Sequence, residues 1–438
     1  MRTSDSHITA DTKLKRIAWL SSKDTCKVFN NVMHLVNKES LEICFHEVDG
    51  KKATGVDEVT KEEYGKNLSA NLDVLVQKLK SMSYKPGNIR VVDIPKEGKP
   101  GATRPLGISN FEDKLFQRVT GKILESVYEP LFLGCSYGFR PGRGCHDAVR
   151  ALRQYLYENE VSTVIDVDLA NYFGTINHEQ LQAVISKKIQ DKKFTRYISR
   201  MLKAGYLKQG ELSVSEDGVA QGSVCSPIMS NIFAHEVIDT WFHEVVKQHC
   251  RGKVELFRYA DDAVICCQHE RDAERIKEAL AKRLAKYGLL MNEDKTRMVK
   301  FSKQRGSQGD KPGSFDFLGF TYYWGKSLKG VSIPKVKSSG KRLRSKLKRV
   351  NEWAKRNRNI HRTLQFWKIF CAKLAGHIRY YGVSFNMVAL KRFVNRASRI
   401  MFKWLNRRSQ RRSLTWEQFD VFRKRYPLPA VKIYHKLW

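Results

Sequence analysis

Phe257-Arg258-Tyr259-Ala260-Asp261-Asp262-Ala263-Val264-Ile265 sets two adjacent acids between apolar flanks. The pattern predicts strand, tight turn, strand, with Asp261 and Asp262 at the turn. Alone, such a pair is an ordinary turn former, because Asp tolerates turn geometry and bonds its own backbone. A second acidic stretch changes its weight. Val164-Ile165-Asp166-Val167-Asp168-Leu169 alternates, so Asp166 and Asp168 share one strand face and Ile165, Val167 and Leu169 the other. Acids are disfavoured within strands. Either that face is wet, or the acids hold a cation. One acid from the strand and two from the hairpin can form an oxygen-rich cluster. That suits Mg²⁺, which prefers a few carboxylates with substrate phosphates and water.

The charge of the chain points to a polyanion. Of the net +35, the stretch from Phe317 onward carries +28, with 31 Lys/Arg against Glu352, Glu417 and Asp420, leaving +7 for the first 316 residues. A surface kept soluble by charge mixes both signs, so a basic back half behind a nearly neutral front implies nucleic acid gripped from the C-terminal side. The nine cysteines form no C-x-x-C pair and no zinc spacing, and no 18-residue apolar run occurs. We expect a reduced, cytoplasmic protein without structural metal or membrane span.

Elsewhere the sequence reads as helices around short strands. Helical spacing joins Phe29, Val32, Met33 and Val36, and again Leu68, Leu72, Leu75 and Leu79. Between them lies a basic loop, Lys51 to Asp57, either a plain turn or a set of free amides for phosphate. Ile89 to Lys96 and Arg104 to Ile108 flank a Gly-rich turn as a hairpin presenting Lys96 and Arg104. A helix is expected from Glu112 to Tyr128, a Ser226-Pro227 N-cap and first turn opens another, and a third runs from Asp272 to Tyr287 and ends at Gly288. Three apolar stripes after Ser338 predict a small helical bundle with one cationic flank.

Taken together, these blocks resemble a known family. Tyr259-Ala260-Asp261-Asp262 is similar to the Y-x-D-D box of reverse transcriptases. Ile94-Pro95-Lys96 to Gly107, Tyr137-Gly138-Phe139-Arg140-Pro141, Asp168 with Phe173, Gln221-Gly222 with Ser226-Pro227, Lys295, and Phe317-Leu318-Gly319-Phe320 follow that family's order. The match is to bacterial group II intron-encoded reverse transcriptases, or maturases. The block from Arg344 to Tyr426, with Trp404 to Ser413, resembles their maturase end.

The resemblance implies Asp168, Asp261 and Asp262 as catalytic metal ligands, with the Leu169 carbonyl as helper, for two Mg²⁺ ions with Mn²⁺ as a substitute. It favours Asp168 over Asp166. It implies Lys96 and Arg104 on the triphosphate, Phe173 as a gate against a 2′-hydroxyl, Gln221 in the nucleotide pocket and Lys295 near the leaving phosphates. Tyr137, Arg140, Arg143 and Gly319 would meet primer and template. Two departures stand out: Gly174 where the family usually has Asp, and Ser223 where a second Gly is usual.

The expected fold is α+β, a right-hand polymerase whose fingers and palm carry an antiparallel sheet backed by helices, followed by an α-helical thumb. The expected divisions are 1–80 (N-terminal extension and start of fingers), 81–325 (fingers and palm), 326–405 (thumb and maturase domain) and 406–438 (basic tail, a DNA-binding candidate). The implied activity is RNA-directed DNA synthesis, with intron RNA or another structured RNA template, a DNA primer or target, and dNTPs as partners. Help in splicing is implied too, and the Cys/His-rich nuclease domain of some relatives is expected to be absent. A free-standing reverse transcriptase, in phage defence or another domesticated role, and a splicing chaperone acting mainly by RNA binding are the alternatives.

Overall fold

The computed structural model describes residues 9–95, 101–303, 312–408 and 414–437. Lys96, and residues 409–413 of the basic block, lie outside the described residues. Along the chain the strands are β1 (Ile89–Pro95), β2 (Thr103–Ile108), β3 (Thr163–Asp168), β4 (Tyr206–Lys208), β5 (Glu211–Ser213), β6 (Val254–Tyr259), β7 (Asp262–Cys267), β8 (Arg297–Lys300), β9 (Phe315–Phe317), β10 (Phe320–Lys326) and β11 (Ser332–Ser338). Among the described residues they form three sheets, ordered β6-β7-β3-β8, β2-β1-β4-β5 and β11-β10-β9. With the helices around them the fold is α+β.

The sheet containing β3 and β7 divides two cores. Alternation sends Ile165, Val167, Ala263 and Ile265 to one face, where they join apolar residues of the Phe111–Tyr128, Ser226–Ala234 and Glu270–Lys286 helices. Val164, Val264 and Cys266 go to the other face, against Phe315, Phe320 and Tyr322. The face that carries Asp166 and Asp168 is therefore wet only at one end; at Val164 it is core. The Ser226–Ala234 helix continues through two π turns, His235–Thr240 and Phe242–Val246, to Lys247–His249.

The basic region folds as expected into three helices, Gly340–Asn357, Thr363–Tyr381 and Met387–Leu405. Ala354, Trp367, Phe370, Leu374, Leu390, Phe393, Ala397 and Met401 are buried in their shared core. The segment after them is not a free arm. The Trp416–Arg425 helix buries Phe419, Trp416 stacks on Phe402 at 3.7 Å, and Leu437 is fully buried.

Four local expectations differ. Residues 29–36 make no α-helix, because tertiary partners take their backbone: Phe29 N–H donates to Lys188 O, and Asp191 Oδ2 accepts from Val32 and Met33 N–H, each at 2.8 Å. The loop at 51–57 does not offer all its amides, since Val56 and Asp57 N–H donate to Asn110 Oδ1. The helix expected to be capped by Ser226 starts at Ser226, whose hydroxyl donates instead to Ala220 O at 2.8 Å. A division between 325 and 326 would cut a hairpin, because Gly325 pairs with Ile333 and Lys326 with Ser332.

Candidate active site

The turn lies one residue earlier than the acids suggest. Tyr259 and Asp262 are cross-strand partners, so Ala260 and Asp261 form the turn and Asp262 is the first residue of β7. Asp262 also pairs with Asp168 on the neighbouring strand, at the open end of the sheet. Antiparallel partners stand close enough for their side chains to interact. The register therefore brings Asp168, Asp261 and Asp262 together from positions 93 residues apart.

Their titration reflects that crowding. Burial, then repulsion from Asp166, Asp261 and Asp168, pushes the Asp262 carboxyl up to about 7, against some relief from Arg342. Asp262 is nonetheless exposed to solvent. Burial and repulsion from Asp316 and Asp168 push Asp166 up to about 6, with Arg297, its cross-strand partner, opposing. Asp261 is raised by burial first and by Asp168 next. Asp316, which accepts from Ser339 Oγ at 2.8 Å, is a member of this acidic field that sequence reasoning missed. Its single acid in an apolar strand carries no local signal.

Lys295 places its ammonium 2.7 Å from Asp168 Oδ2. The three acids do not converge as a closed cluster: among the described residues no three His, Cys, Asp or Glu side chains are arranged to hold an ion. Asp168 is paired with Lys295 instead. The donor set still fits a hard divalent ion, because Mg²⁺ takes one or two carboxylates and completes its shell with substrate phosphates and water. The cation already seated on Asp168 marks where positive charge is favoured. In the bridge between Leu169 and Met291 the backbone bonds run from Ala170 N to Leu290 O and from Asn292 N to Asp168 O, so the Leu169 carbonyl is not consumed there.

Behind the turn stands a support that the sequence did not disclose. Arg258 is wholly buried and donates from Nε and Nη2 to Asp239 Oδ1 and Oδ2 at 2.7 and 2.5 Å. It also donates to Asn231 Oδ1, Ser136 Oγ and, at 2.9 Å, the carbonyl of Ala260. Asp239 sits in the first π turn, the kind of irregularity that recurs at functional sites. Gly138 packs its backbone on the turn, where a Cβ would come 2.4 Å from Ala260 N.

The remaining expected residues are distributed around this centre. Phe173 is half-buried on the short Tyr172–Thr175 helix, and its carbonyl accepts from Val219 N–H at 2.7 Å. Gln221 is half-buried, and its carbonyl accepts from Gly107 N–H at 2.6 Å, tying the Gln221-Gly222 loop to β2. Arg104 is exposed on β2 opposite Ile94. Arg143 lies over the Tyr137 ring at 5.5 Å. Gly319, at φ +81, shares the β9–β10 turn with Leu318, whose carbonyl accepts from Tyr380 Oη.

Arg140, expected to meet primer and template, faces inward. Its guanidinium is buried and donates to both oxygens of Glu129 and to the carbonyls of Leu133 and Ser136. The two departures have local accounts. Ser223 Oγ donates to Gln117 Oε1 at 3.0 Å, and a Cβ at Gly174 would meet the Asn171 side chain at 2.3 Å.

A family model described as reverse transcriptase (RNA-dependent DNA polymerase) matches residues 94–322, more than half of the chain. The chain belongs to the reverse transcriptase family. Members of that family use divalent metal ions. Over 213 residues the chain is 35% identical to Protein YkfC of Escherichia coli, covering 48% of this chain and 54% of that protein. It is 31% identical over 225 residues to the group II intron-encoded protein LtrA of Lactococcus lactis, covering 51% of this chain and 37% of that one. It is 26% identical over 316 residues to a putative COX1/OXI3 intron 1 protein of Saccharomyces cerevisiae, covering 61% and 37%. The chain thus spans about half the length, or less, of these curated relatives. Among the described residues no helix is long and apolar enough to cross a membrane.

Proposed function

We propose that this protein is an RNA-directed DNA polymerase of group II intron type, which copies RNA into DNA by two-metal phosphoryl transfer and assists splicing and mobility of its intron. The observation that carries the reading is the pairing of Asp168 with Asp262 beside Asp261, inside the region that matches reverse transcriptases. The likeness to a protein named as group II intron-encoded supports the intron part. In this reading the β6-β7-β3-β8 sheet is the palm, the β2-β1-β4-β5 sheet and N-terminal helices are fingers, and the bundle from Gly340 is the thumb and maturase domain.

Asp168, Asp261 and Asp262, with the Leu169 carbonyl, would hold Mg²⁺, or Mn²⁺ in its place. Two bound ions would supply a more acidic primer 3′-hydroxyl and charge neutralisation at the leaving oxygen. Everything else is positioning. Lys295 leaves Asp168 for the departing phosphates, and Arg104, joined by Lys96, holds the triphosphate as a planar fork beside a point charge. Phe173 lies beneath the sugar and excludes a 2′-hydroxyl, and Gln221 lines the same pocket. Tyr137, Arg143 and the Gly319 turn contact primer and template. The cationic flank of the bundle meets phosphates and 2′-hydroxyls of structured RNA, a salt-sensitive and shape-specific contact.

Primer extension on an RNA template with Mg²⁺ and dNTPs tests the reading. Asp261→Asn and Asp262→Asn should each lower synthesis by about a hundredfold or more, because each weakens charge stabilisation by several kcal/mol. Retained synthesis in both would remove the mechanism. Salt-dependent intron binding and splicing that persist in these variants would separate an RNA-binding role from synthesis.

A further inference from the structure

We infer that Phe139 is a stacking platform for a nucleobase of the primer–template beside the catalytic turn, an inference that rests on the polymerase reading above. Phe139 is 51% exposed and holds φ at +57°. A bulky side chain in the left-handed region is a genuine outlier, and such conformations persist only where the surroundings over-determine them. Both neighbours do so here. Gly138 abuts Ala260 of the turn, and its carbonyl accepts from Asn231 Nδ2 at 2.6 Å. Arg140 is locked inward by Glu129. The chain between two buried anchors is thereby forced to turn one aromatic ring outward.

That ring belongs to neither apolar core. Of the other exposed aromatics, Tyr157 lies under Arg153, Trp416 on Phe402 and Tyr434 under Lys432, while Trp19, on the Ala10–Lys23 helix, is exposed as Phe139 is. Among the described residues Phe139 has no comparable ring or cation against it. The chemistry of the ligand follows from its setting. Gly138 seats this segment on the Ala260-Asp261 turn, so the exposed ring next in the chain belongs to the rim of that turn, and every base offers a π face to an aromatic ring. The contact would be sequence-tolerant, as copying an arbitrary template requires.

The full chain is tested as wild type and as Phe139→Ala, Phe139→Gly and Phe139→Tyr, on an RNA template and DNA primer carrying 2-aminopurine at the terminal base pair. Binding, fluorescence, primer extension and thermal midpoint are read on each. Phe139→Ala should weaken primer–template binding about tenfold, the scale of losing one stacked base, and should brighten the unstacked fluorophore. Phe139→Tyr should restore both to within about twofold of wild type, which a loss of folding would not allow. Phe139→Gly should bind as poorly as Phe139→Ala while melting no lower, because glycine adopts this φ without strain. Wild-type binding and fluorescence in both the Ala and Gly variants would overturn the inference. If the wild type failed to extend any primer, the polymerase reading would fall, while the binding and fluorescence comparison would still decide the role of Phe139.

Discussion

Arg258 and Asp239 form a two-pronged ion pair with no exposure to solvent, and the same guanidinium holds the carbonyl of Ala260 in the acidic turn. A buried charge stripped of its partner is costly. Asp239→Ala should therefore lower unfolding free energy by about 3–5 kcal/mol, measured by urea denaturation. Arg258→Met combined with Asp239→Leu should recover much of that loss, because both charges leave together. It should not recover synthesis, since the turn loses its anchor.

The acidic field sets a pH dependence. Asp262 and Asp166 are held at about 7 and about 6 in the folded protein, above the ordinary 3.8 for Asp. The folded state then binds more protons than the unfolded state between roughly pH 4 and 7, so stability from these groups falls as pH rises through that window. Without divalent ions, the melting temperature of Asp262→Asn should exceed that of wild type at pH 8 and approach it at pH 5. Adding Mg²⁺ at pH 8 should raise the wild-type melting temperature, and that of the variant less. Equal Mg²⁺ shifts in both would speak against Asp262 as a ligand.

Against the C-terminal segment lies a titration of the opposite sign, at His146. The rings of His146 and His435 stack at 3.6 Å and 9°, and their Nε2 atoms face the carbonyls of Tyr380 and Arg379. Burial, followed by His435 and Arg150, lowers the pKa of His146 against the carbonyl of Tyr380 and against Asp147. Stability from His146 is present above about pH 6.5, the ordinary value for His, and is lost as pH falls below it. Amide exchange at residues 431–437 should accelerate at pH 5 relative to pH 7.5. In His435→Phe, which keeps a stacked ring and removes the imidazole that helps lower the His146 pKa, the acceleration should shrink.

Two glycines should tolerate no side chain. Gly222 holds φ at +112°, and a Cβ there would lie 2.5 Å from Gly107 O. Gly138→Ala would press on the Ala260 amide at 2.4 Å. Each substitution should cost about 1–3 kcal/mol, as overpacking does. Gly138→Ala should also reduce synthesis, since it displaces the turn that carries Asp261. Denaturation and primer extension on the same preparations separate the two effects.

Phe173 gives a test of substrate choice. Phe173→Ala should relax discrimination between dNTP and rNTP by about ten- to hundredfold, the range for a contact of one or two methylene equivalents in a pocket. Single-nucleotide incorporation with each substrate measures the ratio.

What was legible in the chain by itself was local. Period-two alternation placed Asp166 and Asp168 on one face, the apolar–acid–acid–apolar pattern announced a hairpin, and stripes of period 3.6 marked the bundle helices. Each needs only neighbouring residues. The tertiary structure decided what depends on partners far away. The cross-strand register that sets Asp168 against Asp262, the shift of the turn to Ala260-Asp261, and the loss of a helix at residues 29–36 to Asp191 are all non-local. So is the inward turn of Arg140 to Glu129, which leaves Phe139 outside. Arg258 looked like one more strand residue beside the acids. Only burial, which removes water as its alternative partner, makes its bonds to Asp239 and Ala260 the support on which the acidic turn rests.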